Sequence, residues 1–206
     1  MRAYRVAAVL AAAQVLTLSL TGCVHSPPPA APLPPPGAAG SGGLSPQSSA
    51  PVARTMAGLP SGTAASPLTW VLPDPLPGEP MMAVLRGYGA YLDGYVRLYG
   101  SPDPADPRIA QVSSGAARRN LVADLRDLAA RHRAVRGPIT LAPTVTVLGG
   151  AIAQVDDCAD LSHFGYVGSA NVGRPNQPIR AELTWTGDRW LVATVSRPAR
   201  TCTTTR

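Results

Sequence analysis

The chain of 206 residues carries 18 arginines and no lysine against 12 acidic residues, a net charge of +6, with 23 prolines, 20 glycines and three cysteines. That length holds one domain of ~100–150 residues plus a long tether. Three cysteines with no third and fourth ligand at suitable spacing exclude a cysteine-rich metal centre, and the arginine-only bias reflects codon usage rather than function.

Arg2 and Arg5 open the chain, Val6 to Leu20 form a short apolar stretch, and Leu20-Thr21-Gly22-Cys23 closes it. A charged start, a short apolar core and small residues at the cut describe a secretory signal peptide. The stretch is interrupted by Gln14, Thr17 and Ser19 and falls short of the ~20 residues a spanning helix needs. Leu-Thr-Gly-Cys resembles the lipobox of bacterial lipoproteins. That resemblance implies acylation of the Cys23 thiol and cleavage before it, leaving the chain on the outer face of the cell membrane. Two acyl chains give stable anchoring, each buried methylene adding ~0.8 kcal/mol.

Removal of residues 1–22 takes Arg2 and Arg5 with it, so the net charge of +6 becomes +4 over the remaining chain. A basic balance can signal nucleic acid, but a secreted, membrane-tethered chain meets anionic lipids or wall polymers instead. With Cys23 assigned to the lipid, Cys158 and Cys202 remain in an oxidising compartment and read as one disulfide.

From Cys23 to Ser66 the composition is Pro, Ala, Gly and Ser, with Pro27-Pro28-Pro29 and Pro34-Pro35-Pro36 favouring extended polyproline geometry. Residues 23–66 are therefore read as a tether reaching on the order of 40 Å, and residues 67–206 as the folded domain. Order is expected from Leu68-Thr69-Trp70-Val71-Leu72 onward.

Pro80 is placed to open a helix, because its missing N–H costs nothing in the first turn. Met81, Val84, Leu85, Tyr88, Tyr91, Leu92, Tyr95 and Tyr99 then recur at three- and four-residue steps, predicting a helix over 80–99. Gly87, Gly89 and Gly94 oppose it at ~1 kcal/mol each. Ser101 to Pro107 read as turns. A second helix is predicted over 114–136, capped by Ser113 or Ser114, buried through Ala117, Leu121, Leu125, Leu128 and His132, and ended by Gly137-Pro138.

From Ile139 the pattern becomes strands. Thr140 to Leu148 and Ala151 to Val155 flank Gly149-Gly150, and a short strand is expected near Phe164 to Val167. A last hairpin runs from Ile179 to Trp185 and from Trp190 to Ser196 around Thr186-Gly187-Asp188. Helices followed by antiparallel strands give an α+β domain. This order, with the Trp-Thr-Gly-Asp-Arg-Trp-Leu-Val hairpin, resembles the nuclear transport factor 2-like superfamily, which includes SnoaL-like proteins and the extracytoplasmic domains of Mce-associated proteins. The resemblance implies N-terminal helices packed on a curved antiparallel sheet, a cone-like fold. Asp157-Cys158-Ala159-Asp160 with the late Cys202 is similar to secreted actinobacterial members.

Three groups of side chains are candidate sites. Tyr88, Tyr91, Tyr95 and Tyr99 share one helical face and, with Trp185 and Trp190 of the last hairpin, could line a pocket for a small apolar molecule; plain core packing is the competing reading. Asp156, Asp157, Asp160 and His163 could furnish a general base, or Asp157 and Asp160 could shape a turn by bonding to backbone. Arg119, Arg126 and Arg133, with Arg118, Arg131 and Arg136, form either a basic stripe or an ordinary solvated helix face interrupted by Asp124 and Asp127. No Gly-x-Ser-x-Gly, phosphate-binding glycine loop or His-Glu-x-x-His occurs. The reading is thus a membrane-anchored, non-catalytic binding or scaffold domain serving an envelope complex, without metal or cofactor. The alternative is a SnoaL-like enzyme or carrier for a small apolar molecule.

Overall fold

The computed structural model describes residues 58–169 and 173–202. The expected signal peptide, Cys23 with its lipobox, and the tether as far as residue 57 lie outside the described residues. The described chain is α+β. It runs β1 (Gly62–Thr63), β2 (Ser66–Trp70), α1 (Glu79–Gly100), α2 (Arg108–Val112), α3 (Gly115–Ala130), β3 (Val135–Arg136), β4 (Ile139–Leu141), β5 (Thr144–Gly149), β6 (Ile152–Ala159), β7 (Gly165–Tyr166), β8 (Gln177–Trp185) and β9 (Trp190–Ser196). No helix among these residues is long and apolar enough to cross a membrane.

β5, β6, β8 and β9 form an antiparallel meander. Alternation gives it two unlike faces. Ala153, Val155, Ala181, Leu183 and Val192 point into the core and are fully buried. On the opposite face Arg180 pairs with Asp156 at 2.8 Å and Thr194 bonds Glu182 at 3.0 Å. Helices α1 and α3 both pack on β9. The start of α3 is fixed there by the Ser114 N–H, which donates to the Val192 carbonyl at 2.8 Å.

The glycines of α1 are where other chain segments come closest. A Cβ on Gly87 would lie 2.5 Å from the Trp190 Cβ, and one on Gly89 2.8 Å from the Pro60 Cδ. The helix accepts their propensity cost because a side chain there would push the β9 backbone, or the segment before β1, off its surface. That segment is itself packed: Leu59 belongs to the core, so ordered packing begins several residues before the expected start at 67.

Three predicted boundaries move. The second helix stops at Ala130 rather than Arg136. His132 adopts a left-handed φ of 51°, and the N–H groups of His132 and Arg133 donate back to the carbonyls of Ala129 and Leu128. This is a Schellman C-cap with histidine where glycine is usual, so Gly137 was the wrong signal. The strand predicted over 140–148 is two strands in different sheets: β4 pairs parallel with β2, and β5 pairs antiparallel with β6. Pro143 between them has no N–H to continue a ladder, and the Ala142 N–H leaves the ladder to bond the Asp157 carboxylate. β6 continues four residues past Val155 to Ala159, which places Asp156 and Asp157 in a strand and not in a turn.

Candidate functional site

A cavity of about 340 Å³ lies between α1, α3 and the inner face of the sheet. That is near the lower end of the range for small-molecule pockets. Its floor and walls include the buried Tyr88, Tyr91, Leu92, Leu121, Leu141 and Ala159. Exposed polar side chains stand at its mouth: Asn120 and Asp124 from α3, Ser196 from the end of β9, and Arg197 just after it.

The tyrosines reach the cavity because their three- and four-residue spacing keeps them on the α1 stripe that faces the sheet. Tyr95 and Tyr99 stack with ring centroids 4.0 Å apart, and Tyr95 also meets Phe164 at 6.0 Å. The Tyr99 hydroxyl donates to the Asp124 carboxylate at 2.7 Å. Burial raises the hydroxyl pKa of all four tyrosines, so they act as neutral hydrogen-bonding groups on an apolar wall. Trp185 and Trp190 do not join them. They contact each other at 5.5 Å at the far end of the β8–β9 hairpin, with Trp190 lying over Gly87 and Trp185 39 % exposed.

The acidic group is dispersed. Asp156 faces outward and is held by Arg180 and by Arg200, at 2.8 and 3.1 Å. Its pKa is lowered mainly by the Arg180 hydrogen bond. Asp157 points the other way, 3 % exposed, accepting hydrogen bonds from the Tyr88 hydroxyl at 2.9 Å and the Ala142 N–H at 2.8 Å. Burial pushes its carboxyl up to about 6 against those hydrogen bonds. Asp160 does shape a turn, accepting from the Ser162 N–H at 2.9 Å, and His163 is exposed. No group of three His, Cys, Asp or Glu side chains able to hold a metal ion occurs among the described residues.

The arginine stripe also comes apart. Arg131 pairs with Asp127, Arg133 lies over the Tyr166 ring at 5.1 Å, and Arg136 in β3 donates to the Gly100 carbonyl. A second, more open concavity is lined by Arg86, Arg97 and Arg108, each already paired with an acidic neighbour: Glu79, Asp93 and Asp106. Cys158 at the end of β6 and Cys202 have Sγ atoms 2.09 Å apart and Cα atoms 5.7 Å apart, a disulfide closing the late sheet onto the C-terminal segment.

The mouth residues escaped the sequence reading. Asp124 registered only as a break in the arginine stripe, and Asn120, Ser196 and Arg197 were not among the candidate site residues. Nothing local joins Tyr99 to Asp124, 25 positions on; the pairing follows from α1 and α3 both settling on β9.

No protein-family model and no curated protein matches the chain. One solved structure, the intermembrane-space region of the chloroplast protein ARC6, is similar at a TM-score of 0.37 and 19 % identity, covering 56 % of this chain and 96 % of that one. A likeness at that score supports no inference about this chain.

Proposed function

We propose that this is a lipid-anchored extracytoplasmic binding domain that holds a small, largely apolar molecule between its helices and its sheet. The observation that carries the reading is the cavity of about 340 Å³ with its tyrosine wall and polar mouth. Apolar walls with a few placed polar groups are the usual character of ligand sites. The nuclear transport factor 2-like cone remains the proposed finer fold, supported by two helices packed on one face of an antiparallel meander.

The lipid anchor at Cys23 rests on the lipobox resemblance alone. Cys23→Ala should release the protein from the membrane fraction, and unchanged membrane association of that variant would remove the anchor. The binding reading is tested with the neutral dye N-phenyl-1-naphthylamine. Saturable, one-to-one fluorescence enhancement is expected; enhancement that never saturates would overturn it.

A second reading, a scaffold for an envelope complex, rests on a different feature. Val147, Leu148, Ile152 and Trp185 expose 50, 41, 61 and 39 % of their surface at the hairpin ends of the meander. Co-purification of a partner from detergent-solubilised membranes, lost on Ile152→Glu and Trp185→Glu substitution, would favour it.

A further inference from the structure

We propose that the ligand is a carboxylate amphiphile of medium chain length, its chain lying among the tyrosines and its head paired with Arg197 at the cavity mouth. This rests on the binding reading above and adds the ligand's class. The cavity's two ends differ in kind. Its floor is formed by buried apolar and aromatic side chains, and polar groups line its exposed rim. A ligand that fills it needs an apolar body and one polar end, and a volume near the lower end of the range for small-molecule pockets suits a medium-length chain.

Two charges face the mouth, and they are not equally available. Asp124 already accepts the Tyr99 hydroxyl at 2.7 Å, which ties it to the helix wall. Arg197 joins no ion pair among the described residues. Arg197 lines the same cavity as Tyr95. Guanidinium offers five N–H donors in a planar fork that a carboxylate matches with two parallel hydrogen bonds. The Ser196 hydroxyl and the Asn120 amide at the same rim can donate to the remaining lone pairs. Asp124 also sets the charge of the head. One negative charge beside Arg197 is tolerated, whereas a phosphate dianion would meet a second repulsion from Asp124. The charge of +4 that remains once residues 1–22 are removed also attracts anions.

The test uses the chain from residue 23 onward with Cys23→Ala, which needs no detergent. Displacement of N-phenyl-1-naphthylamine is measured for nonanoate, nonan-1-ol and nonyl phosphate at pH 8, each below its micelle concentration. Nonanoate is expected to displace the dye about tenfold more tightly than the alcohol, or ~1.4 kcal/mol, and more tightly than the phosphate. Arg197→Gln should bring acid and alcohol to within about twofold by weakening the acid far more than the alcohol, and Arg197→Lys should restore part of the preference. Arg197 is exposed, so these variants keep the wild-type melting temperature. A dye displaced equally well by acid and alcohol, or an acid preference that survives Arg197→Gln, overturns the head-group assignment and leaves the cavity standing. Tighter displacement by the phosphate overturns the carboxylate. A dye that never binds removes this proposal together with the binding reading.

Discussion

Asp157 makes the stability of the domain depend on pH in the opposite sense to most carboxylates. The side chain is buried beside Tyr88 with no cation facing it, and its pKa rises from 3.8 to about 6 on folding, chiefly by desolvation. A raised folded pKa means that the native state holds the proton more tightly than the unfolded state. Its contribution is complete below about pH 4 and is lost as pH rises through about 6. The gap of about two pH units, at ~1.36 kcal/mol each, amounts to about 3 kcal/mol. Urea unfolding at half-unit pH steps from 4 to 8 measures it. Asp157→Asn is the matched control, because its amide oxygen still accepts the Ala142 N–H and its NH₂ can donate to the Tyr88 hydroxyl, which then serves as acceptor. Groups with lowered pKa, such as Asp156 and Asp106 beside their arginines, lose their contribution as pH falls through their folded pKa and are common to both proteins. The stability of wild type relative to Asp157→Asn should therefore fall by roughly 2–2.5 kcal/mol between pH 4 and pH 7, the rest lying below pH 4. Parallel profiles for the two proteins would refute the claim that desolvation of this carboxyl outweighs its hydrogen bonds.

Other outcomes follow from close packing and chain connectivity. Gly87→Ala gains ~1 kcal/mol of helix propensity, but its Cβ would meet Trp190 at 2.5 Å and the Trp190 carbonyl oxygen at 2.9 Å. A net loss of about 1–2 kcal/mol is expected in chemical denaturation, and a stabilised variant would mean that β9 yields there. His132→Gly relieves a left-handed residue with φ of 51° and should add roughly 0.5–1 kcal/mol to unfolding stability. Reduction of Cys158–Cys202, which are 44 positions apart, should cost about 4 kcal/mol on the loop-entropy estimate. Alkylation without reduction should label neither cysteine, and labelling of both would deny the bridge.

The parts of this fold legible in the sequence were those set by short-range periodicity. The α1 face shows in the spacing of Tyr88, Tyr91, Tyr95 and Tyr99, and β8 in the alternation of Ala181 and Leu183 with Glu182 and Thr184. Boundaries failed where a residue acted against type. His132 caps α3 in a conformation usually given to glycine, and Pro143 divides what reads as one strand. Asp157 reads as a turn former because aspartate avoids apolar strands; a tyrosine 69 positions earlier and the Ala142 N–H make its burial tolerable. The cavity mouth was the least legible feature, since Asn120, Asp124 and Arg197 meet only after α3 docks on β9. Periodicity put the tyrosines on one face, but it could not tell a filled interior from a hollow one. Trp185 and Trp190 look equally suited to a pocket in the sequence, yet their hairpin carries them to the other end of the sheet.

The site of occupancy is tested most directly by NMR of the protein with ¹³C-labelled tyrosine and tryptophan rings, titrated with nonan-1-ol. Binding in the cavity predicts saturable shifts at Tyr91, Tyr95 and Tyr99, while Trp185 at the hairpin end stays unmoved. Shifts at Trp185 with the tyrosine rings unmoved would contradict it and move the contact surface to the exposed hairpin ends.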